Sequence, residues 1–229
     1  MKTINTRAFV GILGLAVAGL ASIGCGSSGG GSGTGGTSGG GGSSGGGSSG
    51  CAAATSASID DFGSGTQAAG TPYLGAQTGL TAPTVSTSSG AMVITLATGA
   101  PTMMYPYAYV GLPLNACTSA AAYTGVKFNI GGTLSAGCTI QFSAVDKEHS
   151  TMANNGTCTA ANCYASAFVF PLPASPSDVT VKFADQTGGG ADPGAAVVDP
   201  SQLLNVQWQV NVPTDGCTGT VTIDNVVFN

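Results

Sequence analysis

The densest group of chemically reactive side chains in this 229-residue sequence is one run of four, Asp146-Lys147-Glu148-His149. One interpretation is a binding or general acid/base cluster at the end of a strand. The interpretation we favour is a solvated loop whose local ion pairs contribute little. His149 is the only histidine and Glu148 the only glutamate, and the folded part contains no nucleophile-elbow motif. The sequence therefore predicts that the protein is not an enzyme.

A second set of residues, tyrosines and side-chain amides, could bind an uncharged ligand. Tyr105, Tyr107 and Tyr109 recur at every second position, which places them on one face of an extended segment. Pro106 restricts that segment to an edge strand or a loop, and packing against the core is the alternative. Flat aromatic rings and side-chain amides can stack on and hydrogen-bond to such a ligand. The candidate amides are Asn129, Gln141, Gln207, Gln209 and Asn211.

Charge and composition exclude several other partners. Charged residues make up 7% of the chain and the net charge is −5, whereas about 25% is usual for soluble domains. The chain beyond residue 24 has three lysines against ten acidic residues. Binding to nucleic acid is therefore excluded, because no basic surface can neutralise phosphates. A neutral glycan remains compatible with this composition.

The elements that must position these residues are short strands. Alternating apolar residues separated by Gly, Pro, Asn and Asp predict strands and no helix longer than one turn. The pattern predicts an all-β, two-sheet antiparallel β-sandwich of the jelly-roll type over residues 56–229. Trp208 falls in the apolar set of its strand and is predicted to be in the core. The predicted strands are Ala91–Ala97, Tyr107–Leu112, Gly125–Ile130, Thr139–Val145, Ala167–Phe170, Val179–Phe183, Val206–Val212 and Thr220–Phe228.

The N-terminus predicts export. Residues 1–24 have a basic start and an apolar run, as in a secretory signal. The small residue before Cys25 resembles the end of a bacterial lipoprotein signal, which implies lipidation of Cys25 and an outer-membrane or cell-surface location. Secretion without lipidation is the alternative. Residues 26–50 are all Gly, Ser or Thr, so residues 25–55 are predicted to form the anchor and a flexible tether.

The six cysteines after Cys25 predict up to three disulfides in an oxidising compartment. The short spacing favours a bond between Cys158 and Cys163. A bond between Cys138 and Cys217 is a weaker prediction, because each lies just before a strand. A zinc site at Cys158 and Cys163 is the rival interpretation, but no second pair has matching spacing.

The order of several short motifs resembles that of galactose-binding-like jelly rolls, such as family 11 carbohydrate-binding modules. This resemblance implies a β-sandwich that binds glycans on a concave sheet, often with a structural calcium ion near the two chain ends. Asp60, Asp61 and Asp224 are then the candidate metal ligands, although Gly63 and Ser64 stand where the family has an acidic residue. The motifs are Ile59-Asp60-Asp61-Phe62, Ala122-Tyr123-Thr124-Gly125-Val126-Lys127-Phe128, Val181-Lys182-Phe183-Ala184-Asp185, Val206–Val212 and Thr222-Ile223-Asp224-Asn225-Val226-Val227-Phe228.

The sequence thus predicts a surface-tethered, lectin-like lipoprotein that binds a carbohydrate without catalysis. A structural or protein-interaction domain of the cell envelope is the alternative hypothesis. A small glycan-active hydrolase that uses Glu148 or aspartate residues is the third.

Overall fold

A computed structural model of the chain describes residues 50–63, 70–160, 163–190 and 197–229. These residues form twelve strands, joined by loops and three single-turn 3-10 helices. No helix in the described ranges is long and apolar enough to cross a membrane. The strands in chain order are β1 (Ala52–Ala53), β2 (Ser58–Asp60), β3 (Tyr73–Ala76), β4 (Thr84–Ser88), β5 (Ala91–Thr98), β6 (Tyr107–Ser119), β7 (Gly125–Leu134), β8 (Thr139–Asp146), β9 (Phe168–Phe170), β10 (Ser177–Lys182), β11 (Leu203–Asn211) and β12 (Cys217–Phe228).

The strands form two six-stranded sheets. Sheet A has the order β1-β6-β11-β8-β9, and β3 also pairs with β6. Sheet B has the order β10-β7-β12-β5-β4, and β2 also pairs with β12. All pairings are antiparallel except that of β1 with β6. The predicted all-β jelly-roll sandwich is confirmed.

The core lies between the two sheets because, along most of each long strand, every second residue is apolar and points inward. Strand β11 alternates buried and partly exposed residues along nearly its whole length. The Phe128 ring of sheet B packs against Phe142 and Trp208 of sheet A, with ring centroids 5.0 Å and 5.3 Å away. Trp208 is 1% exposed, which confirms its predicted place in the core. Each fully buried side chain of this kind contributes roughly 1.5–3 kcal/mol.

All eight predicted strands are present, with ends shifted by up to seven residues. The four short strands β1 to β4 are missing from the prediction. They contain mainly small, polar or hydroxyl residues, so they lack the alternation that predicts a strand. The folded part also starts before the predicted boundary at residue 56. Ala52 and Ala53, which lie within the predicted tether, pair with Thr118 and Ser119 of β6. The signal at residues 1–24, Cys25 and most of the tether lie outside the described residues.

Three disulfides brace the sandwich. The structure joins Cys158 to Cys163 and Cys138 to Cys217, the two pairs that spacing and position suggest, and it also joins Cys51 to Cys117. The bond between Cys138 and Cys217 connects the start of β8 in sheet A to the start of β12 in sheet B. The bond at Cys51 fixes the N-terminal end of the described domain to β6.

Candidate functional site

The outer face of sheet A carries a set of tyrosine, amide and hydroxyl side chains. They come from strands β3, β6, β8 and β11, whose alternate residues point to the core. Neighbouring strands are about 5 Å apart, so four strands span roughly 14 Å. We call this set the tyrosine–amide face, and its members are Tyr73, Tyr107, Tyr109, Thr139, Gln141, Asn205, Gln207, Gln209 and Asn211.

Antiparallel register aligns these side chains in rows across the strands. Gln209 of β11 lies opposite Tyr109 of β6 on one side and opposite Gln141 of β8 on the other. A second row comprises Tyr107, Asn211 and Thr139. The pairing thus brings together residues that are far apart in the sequence. Six of the eight predicted ligand-binding residues lie on this face: Tyr107, Tyr109, Gln141, Gln207, Gln209 and Asn211.

Two tyrosine rings lie over glycines of the neighbouring strand. Tyr73 of β3 is opposite Gly111 of β6, and Gly75 of β3 is opposite Tyr109 of β6. A Cβ atom built on Gly111 would overlap the ring of Tyr73, and one built on Gly75 would overlap the ring of Tyr109. The two ring centroids are 6.0 Å apart, in an edge-to-face arrangement. The absence of side chains on the two glycines therefore lets both rings lie against the sheet.

The amides of the face are hydrogen-bonded to one another. The Nε2 group of Gln209 donates to Oδ1 of Asn211 at 2.9 Å. The Nδ2 group of Asn211 donates to Oγ1 of Thr139 at 3.2 Å and to Oε1 of Gln141 at 3.3 Å. The hydroxyl of Tyr73 lies 2.7 Å from Oδ1 of Asn205. These bonds hold the polar groups in fixed orientations.

The tyrosine–amide face carries no ionised group. All of its members are uncharged residue types, and its tyrosines are half-buried. Burial raises the pKa of Tyr73 above its usual value, and the neighbouring Tyr109 raises it further. Burial also raises the pKa of Tyr107 and of Tyr109. The three phenols therefore stay protonated over the physiological range, and the surface offers hydrogen bonds and flat rings without charge.

Two predicted ligand-binding residues lie elsewhere. Asn129 belongs to β7 of sheet B, where its Nδ2 group donates to Oδ1 of Asp178 at 3.1 Å. Its placement with the other amides is wrong, because alternation assigns a residue to a face of its strand but does not say to which sheet the strand belongs. Tyr105 precedes β6 and is 55% exposed, with a left-handed backbone at φ 57°. It therefore does not continue the stripe formed by Tyr107 and Tyr109.

The prediction of a solvated loop at residues 146–149 is wrong for the first and last of these residues. Asp146 and His149 are buried, with side chains 0% and 1% exposed. The Nδ1 atom of His149 lies 2.7 Å from Oδ1 of Asp146. The backbone N–H of His149 donates to that same oxygen, and the backbone N–H of Asp199 donates to Oδ2 at 2.6 Å. The carboxylate thus fixes two loops at the end of β8.

The three candidate calcium ligands are not gathered into a cluster. Among the described residues, no group of three or more His, Cys, Asp or Glu side chains is placed to hold a metal ion. Oδ1 of Asp61 accepts from the backbone of Gly63, and Oδ1 of Asp224 accepts from that of Asn225. Asp60 is different, because it is buried and its Oδ2 atom has no hydrogen-bond partner. The calcium ion stays a prediction.

Sequence reasoning missed three members of the face, Tyr73, Asn205 and Thr139. Thr139 stands two positions before Gln141 in a predicted strand, on the same side of it. Tyr73 lies on the four-residue strand β3, which is too short to produce an alternating pattern. Its signal is the repeated spacing of tyrosine and glycine, Tyr73-Leu74-Gly75 in β3 and Tyr109-Val110-Gly111 in β6. Asn205 stands two positions before Gln207 and is found by extending the same alternation toward the start of β11.

Comparison with known proteins identifies the fold. No protein-family model matches the chain, and no curated protein does. The solved family 11 carbohydrate-binding module of the cellulosomal cellulase Lic26A-Cel5E of Clostridium thermocellum is similar, with a TM-score of 0.51. The two share 14% identity over 75% of this chain and 92% of the module. The domain therefore has the jelly-roll fold of a carbohydrate-binding module.

Two further solved modules from Clostridium thermocellum are more distant. The family 30 module of the cellulase Cel9D-Cel44B has a TM-score of 0.46 at 13% identity, over 69% of this chain and 90% of that one. A family 11 module in complex with a β-1,3-1,4-mixed-linked tetrasaccharide also has a TM-score of 0.46, at 14% identity, over 69% of this chain and 86% of the other.

Proposed function

We propose that this domain binds a neutral polysaccharide on the tyrosine–amide face and catalyses no reaction on it. The observation that carries the proposal is that half-buried tyrosine rings and oriented amides share one uncharged surface. The C–H faces of sugar rings stack on aromatic rings, and amides hydrogen-bond to sugar hydroxyls. The fold shared with a carbohydrate-binding module supports the same conclusion.

The burial and hydrogen bonds of the run at residues 146–149 support a role without catalysis. Asp146 and His149 are enclosed by protein, so a polymer on the tyrosine–amide face has no access to them. The Oε1 atom of Glu148 accepts a hydrogen bond from Gln202 at 3.3 Å. These groups therefore serve contacts within the fold, and the turnover of a polysaccharide is not expected.

Affinity electrophoresis and calorimetry test the proposal. The probes are soluble β-1,3-1,4-mixed-linked glucan, a galactomannan and, as an acidic polymer, polygalacturonate. We expect a neutral polymer to bind and polygalacturonate not to bind, since the face has no cation for its carboxylates. Tyr109→Ala, and Gln207→Ala combined with Gln209→Ala, should each weaken binding by about tenfold or more, because central aromatic and polar contacts dominate binding energy.

The matched control is Lys127→Ala combined with Asn129→Ala on the outer face of sheet B, which should leave binding unchanged. Binding that no sheet A substitution alters would contradict the site. If no neutral polymer binds, and crosslinking recovers a defined protein partner instead, the domain is an interaction domain of the envelope.

The location is a further part of this proposal. Cys25 is the lipid-modified residue, and the glycine-rich segment after it tethers the domain to the bacterial envelope. The test is metabolic labelling of the full chain with a clickable fatty acid. Label should appear on the wild-type protein and not on Cys25→Ser. An unlabelled wild-type protein in the secreted fraction would contradict the anchor without affecting the binding proposal.

A structural calcium ion at Asp60 is also proposed. Burial raises the pKa of Asp60, and its unpartnered Oδ2 atom is an oxygen ligand of the type that calcium prefers. Differential scanning calorimetry should show a lower melting temperature after treatment with EDTA, restored by excess calcium. Asp60→Asn should abolish the difference. An unchanged melting temperature in the wild-type protein would exclude a stabilising ion.

A further inference from the structure

Tyr73 differs from the other tyrosines of the tyrosine–amide face in the partners of its hydroxyl. Its Oη atom lies 2.7 Å from Oδ1 of Asn205 and 3.2 Å from Oε1 of Gln207. No hydrogen bond of the Tyr107 or Tyr109 hydroxyl occurs within the described residues. Asn205 and Gln207 lie on the same face of β11, so one phenol on β3 contacts two successive outward amides across the intervening strand β6.

The structure places the oxygen end of each amide toward the phenol. A phenol has one hydrogen to donate, and an amide oxygen can only accept it. The 2.7 Å distance is the usual length of an O–H···O bond, so Asn205 is the main acceptor and Gln207 the second. With both amide oxygens turned to Tyr73, both NH₂ groups point away from it. The phenol stays protonated because burial raises its pKa.

We propose that Tyr73 is a positioning residue, whose hydroxyl orients Asn205 and Gln207 so that both present NH₂ donors to the ligand. This inference rests on the proposed glycan-binding function and concerns the same face. Such a donor pair can bind oxygen atoms that only accept hydrogen bonds, as the ring and glycosidic oxygens of a polysaccharide do.

The other amides of the face show a different arrangement. The Nε2 group of Gln209 is used in donating to Asn211, and the Oε1 atom of Gln141 accepts from Asn211. Gln209 therefore keeps its oxygen as an acceptor for the ligand, and Gln141 keeps its NH₂ group as a donor. The NH₂ groups of Asn205 and Gln207 thus lie on the same face as a free acceptor at Gln209 and a free donor at Gln141.

The hydroxyl of Tyr73 can be removed without disturbing the packing of its ring. Tyr73 lies over Gly111 and makes an edge-to-face contact with Tyr109. Tyr73→Phe keeps both of these contacts and removes only the oxygen. The variant should therefore fold with a melting temperature close to that of the wild type.

A double-mutant cycle on the full domain tests the inference, with mixed-linked glucan as the probe and calorimetry as the measurement. We expect Tyr73→Phe to lower the affinity by roughly three- to tenfold, the range of one neutral hydrogen bond. In a background of Asn205→Ala plus Gln207→Ala, the same change should alter the affinity by less than about twofold, because coupled residues are not additive. Tyr107→Phe is the control and should have an equal effect in both backgrounds.

Each outcome decides the question. A loss confined to the background with intact amides supports the positioning role. An equal loss in both backgrounds, or no loss in either, overturns it while leaving the binding proposal in place. If the wild-type domain binds neither the glucan nor the galactomannan, the proposed function itself fails, and this result is separate from any result of the cycle.

Discussion

The outer faces of the two sheets come from similar alternating strands, but their side chains differ in chemistry. The face of sheet A consists of half-buried tyrosines and amides that bond to one another. The face of sheet B has exposed threonines and an ion pair between Lys127 and Asp178, with a 3.3 Å separation and side chains 41% and 60% exposed. Exposed pairs of this kind contribute little to stability. The difference is the reason that we propose a ligand site on sheet A and none on sheet B.

The largest expected effect on stability comes from replacing a buried carboxylate at the end of β8 in sheet A. An exposed carboxylate on sheet B provides the comparison. Asp146→Asn should lower the free energy of unfolding by about 2–4 kcal/mol, because an amide NH₂ group would face a backbone N–H donor. Urea denaturation measures this loss. Asp178→Asn is the matched control and should lower the melting temperature only slightly at neutral pH, far less than Asp146→Asn, because its ion pair with Lys127 is exposed to solvent. Equal effects of the two substitutions would contradict the contrast.

A second prediction concerns the glycines beneath the tyrosines. Gly111→Ala should displace the ring of Tyr73, and Gly75→Ala that of Tyr109, because the new methyl group would overlap each ring. We expect each to weaken binding to mixed-linked glucan by about tenfold, equal to about 1.4 kcal/mol. Gly99→Ala is the control, since no atom lies within 4 Å of its added Cβ. Full binding by Gly111→Ala would show that the ring position does not matter.

A smaller effect is a difference in the pH dependence of stability. Burial raises the pKa of Tyr73, so the folded state favours the protonated phenol. Its contribution to stability is complete below pH 10, the usual tyrosine value, and is lost as the pH rises through the raised pKa. The wild type should therefore lose up to about 1 kcal/mol per pH unit above pH 10 relative to Tyr73→Phe. Urea denaturation at pH 8, 10 and 11 measures this, and equal slopes would contradict it.

The contribution of the Asp178 carboxylate on sheet B to stability has the opposite pH dependence. Hydrogen bonds from Asn129 and Lys127 hold the pKa of Asp178 below its usual value. Its small contribution is present above the usual value of 3.8 and is lost as the pH falls through the lowered pKa. Melting curves of wild type and Asp178→Asn should therefore converge at acid pH. A growing separation below pH 4 would contradict this sign.

Much of the fold could be predicted from the sequence, because the long strands alternate over much of their length. Residues such as Val206, Trp208 and Val210 define a buried face with period two, and this face persists wherever the strand lies in a sheet. The short strands β1 to β4 could not be predicted in this way. Their place depends on pairing with β5, β6 and β12, which supply the neighbours that a two- to five-residue segment cannot specify alone.

The candidate site divides in the same way. The sequence by itself determined that Gln207, Gln209 and Asn211 share a face, because they alternate with buried residues along one strand. Only the tertiary structure decided that Asn129 belongs to the other sheet and that Tyr73 joins this one. The physical reason is that alternation fixes side-chain direction within a strand, while the choice of neighbouring strand depends on pairing and packing between distant segments.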